Sequence, residues 1–121
     1  MKFMLLIYNN PAAIEAMPES ERAEIFADVD SIMAELTRSG ELVGGEALAP
    51  GEQSRTVRVR DGVPAVTDGP FAESKEELAG FLTVDCESIE RAVEIAGRWP
   101  DAKRWAMEVR PVMTPDAGAE M

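Results

Sequence analysis

The chain has 121 residues, enough for one domain around a single hydrophobic core. Its net charge of −11 at pH 7 and pI near 4.4 repel phosphate backbones and anionic lipid surfaces, so no nucleic-acid or membrane partner is expected. One cysteine, Cys86, and no histidine leave neither an internal disulfide nor a His/Cys metal site.

Phe3 to Tyr8 is apolar at both parities, which predicts a strand covered on both faces. The run is too short for a signal sequence and no stretch reaches the length of a membrane span, so a cytoplasmic location is expected. Asn9-Asn10-Pro11 ends the strand. A helix follows over Glu19 to Ser39, with Ile25, Phe26, Val29, Ile32, Met33 and Leu36 as its core stripe. Glu19, Glu21 and Glu24 lie near the positive end of its dipole, and Gly40 stops it.

Leu42 to Leu48 reads as a second strand, loosened by Gly44-Gly45 and closed by Pro50-Gly51. Thr56 to Arg60 alternates, and Asp61-Gly62 can take the positive φ angles of a tight turn, which predicts a hairpin returning through Val63 to Val66. Pro64 confines the returning strand to an edge or an unpaired position. Arg58 and Arg60 share a face with Thr56, expected to be solvated. Ser74 to Glu77 is a polar connection into a strand over Leu78 to Val84, again apolar at both parities.

A second helix starts at Ser88, its N-cap, with Ile89, Ala92, Val93 and Ala96 as core stripe and Glu94–Arg98 as an exposed i,i+4 pair. Trp99-Pro100 ends it. Trp105 to Val112 alternates as a last strand, with Trp105, Met107 and Val109 on one side. The domain spans 1–112, and 113–121 is expected to be a flexible tail.

The order β-α-β, hairpin, β-α-β fits a ferredoxin-like α+β sandwich with an inserted β-hairpin. Two helices cover one face of such a sheet. Strands apolar on both faces therefore predict a homodimer packed sheet against sheet.

The stretch Thr67-Asp68-Gly69-Pro70-Phe71-Ala72-Glu73 concentrates the polar function. Asp68 either caps its turn through a backbone N–H two residues on or presents a carboxylate to a ligand, as acid or base. Gly69 and Pro70 are read as structural, supplying and rigidifying an unusual backbone. Phe71 is a pocket wall or a core residue, and Glu73 an accessory acid or an exposed loop residue. Glu46, at a strand end, makes a paired-carboxylate site with Asp68 if the fold brings them close. Tyr8 and Arg110 end two strands and are candidates for orienting an anionic ligand, with a surface ion pair as the alternative for Arg110. No metal site and no cofactor are expected.

In order, Leu5 to Tyr8, Gly45 to Pro50 (GEALAP), Thr56 to Gly62 (TVRVRDG), Thr67 to Glu73 (TDGPFAE) and Met107 to Val112 (MEVRPV) resemble the YCII-related proteins, specifically the DGPF-type branch. The resemblance spans about Met1 to Val112 and implies a dimeric α+β-barrel fold. It also implies an association with extracytoplasmic-function sigma factors. Relatives in the wider group use a His-Asp pair as a proposed acid-base dyad, which a chain without histidine cannot form.

Two functions of different class follow. The first is a non-catalytic small-molecule-binding or regulatory homodimer with a pocket near the Asp68-Gly69-Pro70-Phe71 turn, favoured by the absence of histidine. The alternative is a lyase- or isomerase-like enzyme using Asp68 as acid or base.

Overall fold

The computed structural model describes residues 1–113; of the expected tail, Met113 is exposed coil and 114–121 lie outside the described residues. The first strand, β1, covers Lys2–Asn9. Asn10 then caps a short helix, α1 (Pro11–Ala16), by accepting from the Ala13 N–H at 3.1 Å. The Asn-Pro pair that ends the strand therefore starts a helix, because proline fits the first helical position where no N–H is needed. The long helix α2 covers Glu19–Ser39 and stops where Gly40 takes φ 81°.

Strand β2 (Leu42–Ala47) leads through a single 3-10 turn at Gly51–Gln53 into β3 (Arg55–Arg60) and β4 (Val63–Asp68). The β3–β4 turn has positive φ at both Asp61 and Gly62, as the Asp-Gly pair predicts. Asp68 is the last residue of β4, not part of a loop. Strand β5 covers Glu77–Asp85; helix α3 covers Ile89–Arg98, its first turn capped by Ser88 accepting from the Arg91 N–H. Pro100 then opens a further short helix, α4 (Pro100–Arg104), before the last strand, β6 (Ala106–Pro111).

The main sheet has strand order β2-β5-β1-β6 and is antiparallel throughout, the arrangement of a ferredoxin-like sandwich. The expectation of a barrel is not met. The sheet is open, with β2 and β6 as free edges, and the β3–β4 hairpin forms a separate two-stranded sheet instead of extending it. Closing a sheet requires its two edge strands to pair, and here β2 and β6 stand at opposite edges with β5 and β1 between them.

Phe3, Leu5, Leu82 and Val84 of the sheet pack against Ile32 and Leu36 of α2 and Ala92, Ile95 and Ala96 of α3, with Trp99 closing one end. Two apolar stripes are narrower than their spacing predicts. Phe26 is 66% exposed and Val93 54% exposed, while Ile95, outside the expected stripe, is fully buried. Arg98 pairs with Glu35 of α2, not with Glu94, so the charge ties two helices together instead of decorating one.

On β1, Met4, Leu6 and Tyr8 alternate with the buried Phe3 and Leu5 and so face away from the helices. Register places Thr83 and Phe81 of β5, and Glu108 and Arg110 of β6, on this same face.

Candidate functional site

The turn singled out in the sequence is held by backbone bonds. Gly69 has φ 96°, its N–H donates to the Ser54 carbonyl at 2.8 Å, and the Thr56 hydroxyl donates to the Gly69 carbonyl at 2.8 Å. Gly69 thus supplies the left-handed conformation that other residues resist. Asp68 does not cap the turn, for the residue two positions on is Pro70, which has no N–H. Its carboxylate instead meets the Arg55 Nε at 3.1 Å across the hairpin, with its side chain 86% exposed. Phe71 is 75% exposed, neither core nor enclosed wall, and the Arg58 guanidinium lies 4.8 Å from its ring centre. Arg58 is therefore a cation–π partner and not merely a solvated side chain.

The expected candidates do not converge on one place. Tyr8 and Phe71 border a broad concavity of about 860 Å³ between the Leu48–Ser54 connection and the loop before β5, where the Glu77 carboxylate accepts from the Gly51 N–H at 2.6 Å. Tyr8 and Arg110 meet through Glu108: the phenol donates to Glu108 Oε1 at 3.4 Å and the Arg110 Nε donates to Oε2 at 3.0 Å. Burial, then the Glu108 charge, push the Tyr8 phenol up from its ordinary value, with Arg110 opposing. Glu46 pairs with Phe81 in the sheet register and borders a different cavity. Asp68 lines neither concavity and pairs with Arg55, so it shares no pocket with Glu46, and Glu73 is exposed in the loop between Ala72 and Ser74, which border the broad concavity.

That different cavity is the smaller and more apolar of the two. It holds about 340 Å³ between the sheet and the helices α1, α2 and α4, with walls of Ile7, Ile14, Ile25, Val29 and Met33 and both tryptophans, Trp99 and Trp105. Its floor is Gly45, Ala47, Ala79 and Gly80, which carry at most a methyl group. A Cβ at Gly80 would stand 2.7 Å from the Glu46 carbonyl oxygen, and one at Gly45 would stand 2.5 Å from that of Phe81. The close approach of β2 and β5 thus keeps these positions bare, and the absent side chains leave the void beneath α2.

Into this apolar space comes one buried carboxylate. Asp101, on α4, is 7% exposed, and Asn9 at the end of β1 donates to its Oδ2 at 3.0 Å. It is the sole buried charged residue among the described residues. At the mouth stand Arg22 and Arg104, the latter paired with Glu21 at 2.8 Å. Sequence reasoning passes over Asp101 because Trp99-Pro100 reads as a helix end. The available signal is the Pro-Asp pair itself, proline at the first helical position followed by an acid in the first turn. No group of three or more His, Cys, Asp or Glu side chains suited to a metal occurs among the described residues. No described helix is long and apolar enough to cross a membrane.

Residues 1–115 match the YCII-related domain. The chain belongs to the YCII-related family. This YCII-related chain is 32% identical over 114 residues to an uncharacterised protein of Rhizobium meliloti (strain 1021), covering 93% of the chain and 92% of that protein. Its fold is similar to that of the 5-chloro-2-hydroxyhydroquinone dehydrochlorinase of Burkholderia phenoliruptrix AC1100, solved in complex with 2,5-dihydroxybenzoquinone, with TM-score 0.55 and 15% identity over 96% of this chain and 97% of that one. At that identity the YCII-related chain shares the fold, and its chemistry is argued from its own residues.

Proposed function

We propose that this YCII-related protein is a small-molecule enzyme performing proton-transfer chemistry, of the lyase or isomerase kind, on a ring-sized compound whose apolar body is bound between α2 and the sheet. The observation that carries this reading is Asp101. A carboxylate enclosed by apolar walls and held by one amide donor is positioned to accept or return a proton from whatever fills the space. It replaces Asp68 in the acid-base role, because Asp68 is solvated and engaged by Arg55. A scaffold of the same fold serves a dehydrochlorinase solved with a benzoquinone, which supports a ring-sized occupant without assigning the same reaction. The Asp68-Gly69-Pro70-Phe71 turn supports placement in the DGPF-type branch, and the apolar helix-free face supports a homodimer joined through it.

The test follows chloride release and quinone absorbance with chlorinated hydroquinones and simple quinones. The expected result is turnover above buffer that falls at least ~100-fold in Asp101→Asn. That variant keeps an acceptor oxygen for Asn9 and so preserves the local hydrogen bond. Ring compounds that bind and are never turned over would instead identify a non-catalytic binding protein.

A further inference from the structure

Arg22 stands out at the cavity mouth. The chain carries 23 acidic residues against 12 basic ones, and most of the arginines have carboxylate partners. Arg22 is half-buried on α2, lines the cavity and makes no ion pair among the described residues. Arg104, also in the lining, is paired with Glu21. Glu46 does not offset Arg22 from across the opening. Its register opposite Phe81, itself opposite Leu6, sends its side chain to the helix-free face, and it meets the cavity only along the β2 strand. Arg22 therefore brings to the cavity lining a positive charge with no ion-pair partner among the described residues, while Asp101, the buried carboxylate of the same lining, is held by the Asn9 amide.

We infer that the cavity takes a small ring compound bearing one anionic oxygen group, its apolar body over the Gly45, Ala47, Ala79 and Gly80 floor and its anion on the Arg22 guanidinium. This rests on the proposed cavity site and adds its substrate class. The guanidinium fork fits a carboxylate or an acidic enol oxygen and is unpaired until such a group arrives. In so acidic a protein, long-range charge alone would repel an anion, so acceptance of one requires a local cation at the entrance.

The probe pair is 4-nitrobenzoate and 4-nitrobenzamide, which share a ring and differ in charge, with binding read from quenching of Trp99 and Trp105. Wild type is expected to bind the benzoate roughly 10- to 100-fold more tightly than the amide, the range of a charge-assisted hydrogen bond. Arg22→Gln should bring the two together by weakening the benzoate alone, and Arg22→Lys should restore part of the difference. Equal affinities in wild type, or a preference that survives Arg22→Gln, would overturn the anionic substrate class while leaving the cavity site standing. Quenching by neither compound would remove the cavity site and this inference with it.

Discussion

Glu41 and Arg91 form the best-defined ion pair in the chain. Arg91 donates from Nε and Nη2 to the two Glu41 oxygens, each at 2.9 Å, and both side chains are mostly buried, at 17% and 21% exposure. The Arg91 hydrogen bonds hold the Glu41 carboxyl down at about 2 from an ordinary 4.5, with burial opposing and the Ser39 hydroxyl assisting. A carboxylate whose folded pKa is depressed stabilises the fold when ionised. Its contribution is complete above about pH 4.5 and is lost as pH falls toward 2. Glu41→Gln should therefore cost ~2 kcal/mol at pH 7, reduced from the full linkage value because Arg91 retains Glu94 and both groups still reach solvent. Urea denaturation at pH 7 and pH 2.5 checks this: the gap between variant and wild type should shrink at the lower pH, and an equal gap at both would refute it.

Elements here are set by backbone constraints as much as by apolar spacing. Gly80 and Gly97 make opposite predictions for the same substitution. Gly80→Ala places a methyl group against the Glu46 carbonyl in the closest-packed part of the sheet, and should destabilise by about 1–3 kcal/mol. Gly97 lies on the open side of α3 with nothing within 4 Å of a Cβ, so Gly97→Ala should stabilise by ~0.5 kcal/mol through helix propensity and a less flexible unfolded chain. Thermal melts of both variants decide it, and shifts of the same sign would contradict the packing described. The long helix, the Asp-Gly hairpin and the Ser88 cap were legible in the sequence because each depends on local chemistry: apolar period, positive φ, or a side-chain acceptor three residues upstream. The two short helices were not, because Asn10-Pro11 and Trp99-Pro100 signal a stop and a start alike. The cavity was not legible either. It arises where Gly45 and Ala47 on β2 lie beside Leu82 and Gly80 on β5 beneath α2, a coincidence of three segments far apart in the chain, whereas the Asp68 turn advertised itself by composition and lies at the end of the hairpin, with Asp68 paired to Arg55.

At the scale of the whole molecule, the open sheet raises the matter of its second face. Met4, Leu6, Phe81 and Thr83 lie there, only half-buried, with Leu78 41% exposed beside Tyr8. An apolar surface in the middle of a sheet, rimmed by Glu46 on one side and the Glu108–Arg110 pair on the other, has the layout of an interface core and its polar rim. A two-fold partner would set this face against its own copy and cover both at once. The net charge opposes such pairing: two chains of −11 repel, and the association must come from apolar burial. Two consequences follow and can be checked together by static light scattering at micromolar concentration. Wild type should have the mass of a dimer, and dissociation on dilution should be suppressed by added salt, which screens the repulsion. Leu6→Arg, which sets a cation at the centre of the face without touching the helix-side core, should run as a folded monomer with unchanged helical circular dichroism. A monomeric wild type, or a Leu6→Arg variant that remains dimeric, would show that the helix-free face is not where copies of this chain meet.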